Sequence, residues 1–365
     1  MIDLSPAARL YLRPVQFADT PVNRDGEVAR LAGGLLWFAA YELIGVEAGK
    51  RVLQRTIPIA ELPDDPRLHA IAARITAPRP ALQLGERVIR MDQPQVMGIL
   101  NVTPDSFSDG GKHVADPAGA AQSGVDMAVA GAAILDVGGE STRPGAAEVW
   151  EGDEIARTVP AIERLSRGGT AVSIDTRRAG VMQAALAAGA HLVNDVAALL
   201  YDPRAIEVVV ASGCPVALMH SPDPVQGPHG GPNDRYAYGD VLLEVYDWLE
   251  ARVDAVVAAG VDRTKILIDP GIGFGKSLQD NLALLNGLAL FHGLGCPILL
   301  GASRKRMIGA LSNEAPAEAR LGGSVALALK GADLGAQLIR VHDVFETVQA
   351  LRVWRGMRDA ALIAR

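Results

Sequence analysis

The chain has 365 residues, of which 49% are hydrophobic and 21% charged, and its formal net charge is −7. This length and composition allow one large domain, or one large domain with a small one, and they exclude disorder as a general description. The acidic balance argues against a general nucleic-acid-binding protein, which would carry a basic excess, so the cations for any anionic substrate must be concentrated locally.

Residues 1–80 contain no motif that carries chemistry. The longest apolar run, residues 33–46, is interrupted by Glu42 and is shorter than the ~20 residues of a membrane span. The start of the chain does not resemble a secretory signal, so we expect a cytoplasmic protein with no membrane partner. The cluster of Trp37, Phe38 and Tyr41 predicts a packing face rather than a ligand site. We expect a strand over 52–59, followed by a tail that prolines interrupt. Residues 1–80 together would form a small α+β accessory extension of unknown role.

The two cysteines, Cys214 and Cys296, are far apart, and each directly precedes a proline and an apolar run. This setting predicts small buried side chains in a reducing compartment rather than a redox or metal site.

The region from residue 81 onward predicts an α/β fold. Residues 82–90 predict a hairpin around Gly85 and Glu86 that covers a barrel floor. Nearly continuous apolar runs, typical of strands buried on both faces of a parallel sheet, follow at 96–100, 134–137, 171–174, 192–193, 215–219, 266–268, 298–300 and 337–341. Helical patterns lie between the runs. Eight such repeats favour a closed (β/α)8 TIM barrel over a doubly wound sheet, which usually has fewer repeats.

Two of these helices have clear end signals. Asp116 and Pro117 fit a helix start ahead of an alanine-rich stretch that reaches Ala133. A second helix is expected over residues 177–188, and it should end at Gly189, because glycine readily adopts a left-handed cap.

Each apolar run ends in polar or ionisable side chains. In a barrel of this type the carboxyl ends of the strands meet at one mouth, where the active site is built. The side chains concerned are Asn101, Asp136 with Glu140, Asp175, Asn194 with Asp195, His220, Asp269, Ser303 with Arg304 and Lys305, and Arg340 with His342.

The glycine-rich segment DPGIGFGK, residues 269–276, fits neither of two common phosphate-binding motifs. Its glycines alternate, unlike the Rossmann fingerprint, and position 270 is proline where a P-loop requires glycine. The segment therefore predicts a strand that ends in Asp269, followed by a flexible loop that folds over a flat ligand with Phe274 as a stacking face.

The polar strand ends divide into two groups by chemistry. Asp175, Asp269 and Asn194 suit a planar heterocycle with an amino-pyrimidinone edge, although each alone could cap a helix. The basic groups suit a phosphate or diphosphate, and Asn101 could hold Mg2+ on that anion; His342 could instead be a structural surface histidine. These basic groups are Arg143, Lys305, Arg340 and His342.

Seven motifs occur in the order typical of the dihydropteroate synthase family, which residues 81–360 resemble. They are NVTPDSFSDGG (101–111), GGESTRPG (138–145), SIDT (173–176), NDV (194–196), DPGIGFGK (269–276), ASRK (302–305) and RVHDV (340–344). The resemblance implies a TIM-barrel domain over 81–365. It also implies a transferase of folate biosynthesis that condenses 6-hydroxymethyl-7,8-dihydropterin diphosphate with 4-aminobenzoate and is a sulfonamide target.

The resemblance implies a role for individual residues as well. Asp175, Asn194, Asp269 and Lys305 would hold the pterin, in a slot shaped by Met219, Phe274 and Gly301. Thr142, Arg143, Arg340 and His342 would hold the diphosphate, Asn101 would bind Mg2+, and Phe107, Pro144 and Arg306 would contact the aminobenzoate. Asp109, Arg143, Lys305 and Arg340 would be catalytic.

The sequence departs from the family pattern at two places. The loop at 221–234 is longer and richer in proline than expected, and Arg306 stands where some members have serine.

Two alternative functions stay open: a pterin-sensing protein without activity, and a methyltransferase barrel that uses methylfolate and cobalamin. The retained Asp109 and Arg143 argue against the first, and the diphosphate-binding cations argue against the second. The expected partners are small molecules, and a homodimer stays open.

Overall fold

A computed structural model describes residues 5–103, 117–141, 148–226 and 236–363. The predicted roles of Phe107, Asp109, Thr142, Arg143 and Pro144 fall outside the described residues. The same is true of most of the unusual loop 221–234.

The N-terminal extension is an antiparallel sheet with one helix. Its strands are β1 (Arg9–Ala18), β2 (Ala29–Arg30), β3 (Trp37–Glu47) and β4 (Lys50–Pro58), and its helix is α1 (Pro66–Thr76). β3 is central and pairs with all three other strands. Phe38 and Tyr41 are buried on it and meet edge to face at 5.1 Å, so the predicted packing face is confirmed.

The predicted proline-broken tail is wrong over residues 66–76, where α1 lies. Pro66 occupies the first turn of the helix, where the missing N–H has no intrahelical partner to lose. The Asp65 carboxylate caps the helix by accepting a hydrogen bond from the Arg67 N–H at 2.8 Å. Proline therefore starts this helix instead of preventing it.

The predicted floor hairpin is present as β5 (Leu82–Leu84) and β6 (Arg87–Ile89), joined through Gly85, which has a left-handed φ of 61°. Its apolar side chains pack against the first residues of the barrel strands, in a cluster that includes Leu82, Leu84, Ile89, Met97, Ile134, Ala171, Leu192, Ala217, Leu267, Leu299 and Leu338. The hairpin closes the end of the barrel opposite the carboxyl ends of the strands.

The barrel contains the eight predicted parallel strands, each within two residues of its expected bounds. They are β7 (Gln95–Asn101), β8 (Ile134–Gly138), β9 (Val172–Asp175), β10 (Leu192–Asp195), β11 (Val216–Met219), β12 (Ile266–Asp269), β13 (Leu299–Leu300) and β14 (Leu338–Val341). They pair in the order β12-β11-β10-β9-β8-β7-β14-β13, and a parallel bridge between Ile268 and Ile298 closes the ring. The TIM-barrel fold is confirmed.

Helices surround the strands. They are α2 (Pro117–Ala130), α3 (Glu151–Arg167), α4 (Ala179–Ala187), α5 (Ala205–Ser212), α6 (Val241–Ala258), α7 (Leu278–Gly287), α8 (Arg306–Leu311), α9 (Leu321–Asp333) and α10 (Val344–Ala361). A 3-10 segment, Leu288–Leu294, follows α7. Within the described part of the chain, no helix has both the length and the apolar character that a membrane span requires.

The extension packs on α6 and on the 3-10 segment. Tyr11 meets the Tyr246 ring at 5.4 Å and donates a hydrogen bond to Asp247 Oδ2 at 2.8 Å. Arg79, only 5% exposed, donates to the carbonyls of Arg74, Ala77 and His292. One continuous core contains side chains of both the extension and the barrel.

This shared core predicts that the extension and the barrel unfold together. Leu12 is 1% exposed in the core, so Leu12→Ala should lower the free energy of unfolding by about 2 to 5 kcal/mol. Urea titrations followed by circular dichroism and tryptophan fluorescence should give one transition, shifted in both signals. Val52→Ala, at a position 58% exposed on β4, should change stability by less than about 0.5 kcal/mol. Two transitions, with only one of them shifted, would show that the extension is an independent unit.

Candidate active site

The carboxyl ends of the barrel strands bring several of the predicted polar residues to one mouth, whereas Glu140 pairs with Arg178 and Asp195 caps the turn that follows β10. Gly138 and Gly301 lie among these residues, and the distances from a Cβ built on each glycine show how close the polar groups are. A Cβ built on Gly138 would lie 3.6 Å from Asn101 Oδ1 and 3.7 Å from Asp175 Oδ2. A Cβ built on Gly301 would lie 3.7 Å from Asp269 Oδ2 and 3.9 Å from Arg340 Cδ. The small residues thus leave space between facing polar groups, and a flat ligand needs such a space.

Arg340 lies between two carboxylates, of which Asp136 is fully buried and Asp175 is 11% exposed. Its Nε donates to Asp136 Oδ2 at 2.6 Å, and its Nη2 donates to Asp175 Oδ2 at 2.6 Å. Asn194 Nδ2 donates to the same Asp136 oxygen at 2.9 Å. Because Asn194 gives its N–H to Asp136, its amide oxygen is directed elsewhere and can accept a hydrogen bond from a ligand.

Asp269 and Lys305 form the other side of the mouth. Asp269 Oδ1 accepts the Gly271 N–H at 2.7 Å. Lys305 Nζ lies 3.8 Å from the centroid of the Phe274 ring, within the range of a cation–π interaction. Phe274 also packs with Met219 and Val196 in a small apolar cluster. Together they combine an apolar wall with charged edge groups.

Burial changes the proton affinities of these groups. It raises the pKa of Asp175, although the nearby Arg340 charge opposes the effect. Burial also raises the pKa of Asp269 to about 6, although the hydrogen bond from the Gly271 N–H and the charge of Lys305 act to lower it. Burial and the Arg340 charge lower the pKa of Lys305 to about 8. Perturbed titratable groups concentrated in one concave region are typical of an active site.

His342 is part of the mouth, and its ring is neutral at pH 7. Burial, with the charges of Arg340 and Arg304, lowers its pKa to about 3. Its Nδ1 lies 3.0 Å from Ser303 Oγ, which also accepts the His342 backbone N–H at 3.2 Å. If Ser303 donates to Nδ1, the proton on Nε2 is available to an anion. His342 would then act as a neutral donor and not as the basic group that the sequence suggested.

Two further predicted residues have simpler settings. Asn101 is the last residue of β7 and is partly exposed at the mouth. Arg306 is the first residue of α8 and is exposed. Across residues 5–103, 117–141, 148–226 and 236–363, no group of three or more His, Cys, Asp and Glu side chains could hold a metal ion.

The sequence does not predict a site role for Asp136, Ser303 or Lys276. The first two stand there only as strand ends, and Lys276 only as part of a motif. Asp136 is fully buried and contacts both Arg340 and Asn194. The available signal was a carboxylate inside the otherwise apolar run ILDVG, since such a charge requires a partner.

Comparison with known proteins identifies this barrel as that of a pterin-binding enzyme. A family model described as "Pterin binding enzyme" matches residues 97–342. The chain is 46% identical over 264 residues to the dihydropteroate synthase of Escherichia coli K12, covering 72% of this chain and 91% of that protein. It is 47% identical over 265 residues to the Mycobacterium leprae dihydropteroate synthase, covering 71% and 92%. The chain belongs to the dihydropteroate synthases, which are transferases of folate biosynthesis.

Solved structures give the same result. Xanthomonas albilineans dihydropteroate synthase with 4-aminobenzoic acid superposes with a TM-score of 0.70 at 47% identity, over 77% of this chain and 98% of that one. The same enzyme in complex with 7,8-dihydropteroate gives 0.68 at 44% identity, over 76% and 99%. A Yersinia pestis dihydropteroate synthase with a sulfonamide drug complex gives 0.71 at 44% identity, over 76% and 99%.

The glycine loop after Asp269 predicts a large cost for a single methyl group. Gly271 has φ of +70°, and a Cβ there would lie 2.0 Å from the His220 carbonyl oxygen. Gly271→Ala should therefore lower the free energy of unfolding by about 2 to 5 kcal/mol, from backbone strain and steric overlap together. Gly49→Ala is the control, because φ is +74° and nothing lies within 4 Å; it should cost only about 1 to 2 kcal/mol. If urea titrations gave Gly271→Ala and Gly49→Ala the same loss of unfolding free energy, steric crowding at Gly271 would be contradicted.

Proposed function

We propose that the chain condenses 6-hydroxymethyl-7,8-dihydropterin diphosphate with 4-aminobenzoate and releases 7,8-dihydropteroate and diphosphate. The arrangement of Asp175, Asn194, Asp269 and Lys305 around one flat space is the observation that carries this proposal. Support also comes from related enzymes in complexes named for 4-aminobenzoic acid and for 7,8-dihydropteroate.

The pterin ring would enter between the apolar and the polar sides of the mouth. Asp269 and Asp175 would accept N–H groups of its amino-pyrimidinone edge, because an ionised carboxylate has only acceptors to offer. Asn194, oriented by Asp136, and Lys305, held over Phe274, would complete the polar edge. Met219, Phe274 and Gly301 would bound the ring faces.

The reaction needs more help at the leaving group than at the nucleophile. An aromatic amine attacks as a neutral molecule, so strong base catalysis is unnecessary, whereas the departing diphosphate gains charge. Arg340, through N–H donors beyond the two that bind Asp136 and Asp175, would stabilise that charge, with His342 as a neutral donor. Thr142 and Arg143 would join them, and Asp109 would support the developing cation of the pterin.

Mg2+ is the proposed cofactor. Asn101 fits this role, because its amide oxygen is a hard ligand at the mouth and few protein ligands are needed when diphosphate oxygens supply the remainder. The ion would neutralise charge on the diphosphate.

For the second substrate we propose contacts with Phe107, Pro144 and Arg306. The guanidinium of Arg306 would pair with the carboxylate of 4-aminobenzoate.

Two properties of the whole protein complete the proposal. Cys214 and Cys296 are both free and buried, which suits a reducing compartment such as the cytoplasm. A homodimer would cover exposed apolar side chains of α10, where Phe345, Val353 and Met357 are each at least 60% exposed.

One assay tests the proposed reaction. Purified protein is incubated with the pterin diphosphate, 4-aminobenzoate and Mg2+, and dihydropteroate is measured by chromatography. Product should form only when both substrates are present, and chelation of the metal should reduce its formation. Absence of product from folded protein would refute the proposed function.

Arg340→Ala should slow turnover by about 10² to 10³, the usual loss for one preorganised contact with a developing anion. Arg340→Lys should recover only part of the rate, because a point charge replaces a planar fork. Arg355→Ala, on the exposed surface of α10, should behave as wild type. The decisive measurement compares the binding of a pterin with and without its diphosphate. Equal weakening of both would show that Arg340 serves the pterin or the fold through Asp136 and Asp175.

Pterin affinity should rise with pH through the range set by Asp269. Its pKa is raised to about 6, so below pH 6 the carboxyl is protonated and loses acceptor capacity, and above pH 6 it is ionised and binds. Between pH 5 and 7, ionisation of this one group predicts about a tenfold gain for a pterin without diphosphate. In calorimetry, Asp269→Asn should lose this part of the pH dependence, and Asp254→Asn, at an exposed carboxylate on α6, should keep it. An unchanged profile in Asp269→Asn would assign the titration to another group.

A further inference from the structure

Lys276, the last residue of the glycine-rich loop, directs its ammonium group into the loop rather than into the mouth. Its Nζ donates to the carbonyl oxygens of Gly271 at 2.9 Å, Phe274 at 3.1 Å and His220 at 3.3 Å. His220 Nδ1 is a fourth acceptor, at 3.0 Å, so the three N–H groups of the ammonium are shared among four acceptors. One side-chain nitrogen, whose pKa burial lowers to about 7, thus collects acceptors from the loop and from the end of the neighbouring strand β11.

The loop needs such an anchor because of its own backbone. Gly271, Gly273 and Gly275 all have left-handed φ values, between +58° and +82°. Alternating left-handed residues produce no regular hydrogen-bond ladder, and glycine restrains its backbone less than any other residue. Asn281 holds the loop from the other side, because it accepts the Gly273 N–H at 2.6 Å and donates to the Lys276 carbonyl at 3.2 Å.

The loop contributes the Gly271 N–H and the Phe274 ring to the mouth. Lys276 binds the backbone carbonyls of these same two residues. Gly271, whose carbonyl Lys276 binds, gives its N–H to Asp269 Oδ1. Phe274, whose carbonyl Lys276 also binds, places its ring beneath Lys305. The ammonium group therefore connects the Asp269 carboxylate, through Gly271, with the Phe274 ring, although it contacts neither of them directly.

His220 is suited to accept from this ammonium group. The side chain is only 4% exposed, and burial lowers its pKa far below the usual value, with the Lys276 charge acting in the same direction. The neutral ring can therefore leave Nδ1 unprotonated as an acceptor and carry its proton on Nε2. The ring also packs edge to face against Trp248 at 5.0 Å, which fixes its orientation.

We propose that Lys276 is a positioning residue that presets the pterin slot, by holding the Gly271 and Phe274 carbonyls with His220 Nδ1 as an additional acceptor. This inference rests on the proposed pterin function of the same site. A loop already held in its bound shape loses less conformational entropy when the ligand arrives, so its anchor contributes to affinity without contacting the ligand.

Lys276→Met tests the inference, because methionine keeps most of the length of lysine and removes the donors. Calorimetry with 6-hydroxymethylpterin should show affinity weakened by about 10- to 100-fold, as expected when preorganisation is lost. The KM for 4-aminobenzoate at saturating pterin diphosphate should stay within about twofold. The matched control is Lys265→Met, because Lys265 also donates to a backbone carbonyl, that of Gly213, at 2.6 Å. Lys265 precedes β12, whereas Lys276 follows the loop at the other end of that strand. The control should bind pterin as wild type does.

Two substitutions at His220 test the same contact without altering the lysine. In His220→Asn the amide oxygen can occupy the position of Nδ1, and most of the affinity should be retained. In His220→Leu the acceptor is lost, and affinity should fall in the same direction as in Lys276→Met. These variants decide the question if Lys276→Met does not fold.

The outcomes separate this inference from the proposed function. If wild-type protein binds no pterin, the proposed function fails and the inference fails with it. If wild type binds and folded Lys276→Met binds equally well, only the inference is overturned. Equal affinities in His220→Asn and His220→Leu would likewise overturn the role of Nδ1, and a parallel rise in the KM for 4-aminobenzoate would show a general structural effect instead of positioning.

Discussion

The active site depends on one partly buried guanidinium and the two carboxylates that pair with it. Arg340, near the end of β14, binds Asp136 in β8 and Asp175 at the end of β9, so it joins three strands. Asp136 is fully buried, and removing one member of such a set would leave a charge in a medium that solvates it poorly. The mutual requirement of these charges fixes the mouth before a ligand arrives. It also orients Asn194, which bonds to the same oxygen of Asp136.

Two lysines near this set have opposite tasks. Lys305 lies over the Phe274 ring and faces the slot, whereas Lys276 points into backbone carbonyls behind the same ring. This chain with a net charge of −7 thus places two lysines at the same group of residues. The one site holds a charge for the ligand and a charge for its own loop, and only the three-dimensional contacts distinguish them.

The barrel was predictable because each strand carries its own signal. Strands buried on both faces are continuously apolar and end where polar residues begin, so all eight could be located from local sequence. The helix at 66–76 is hard to predict because proline interrupts most helices and fits only the first turn, where Pro66 lies. The partners of Asp136 were missed for a different reason. They lie 58 and 204 residues away in sequence, and no local pattern records such pairs. Asp175, Asn194, Asp269 and Lys305 do meet at the mouth, while the roles of Phe107, Asp109, Thr142, Arg143 and Pro144 stay predictions.

The packing of the N-terminal sheet has a consequence for how the chain is made. Tyr11 leaves the ribosome early, yet the Asp247 carboxylate that it binds is 236 residues further along. At typical rates of synthesis, the ribosome needs on the order of ten to fifty seconds to add that length. During this interval the sheet has no α6 to cover it, and apolar side chains such as Leu12 and Phe38 must wait for their final partners. Chaperones that shield nascent apolar strands would therefore matter more for this chain than for a barrel without the extension.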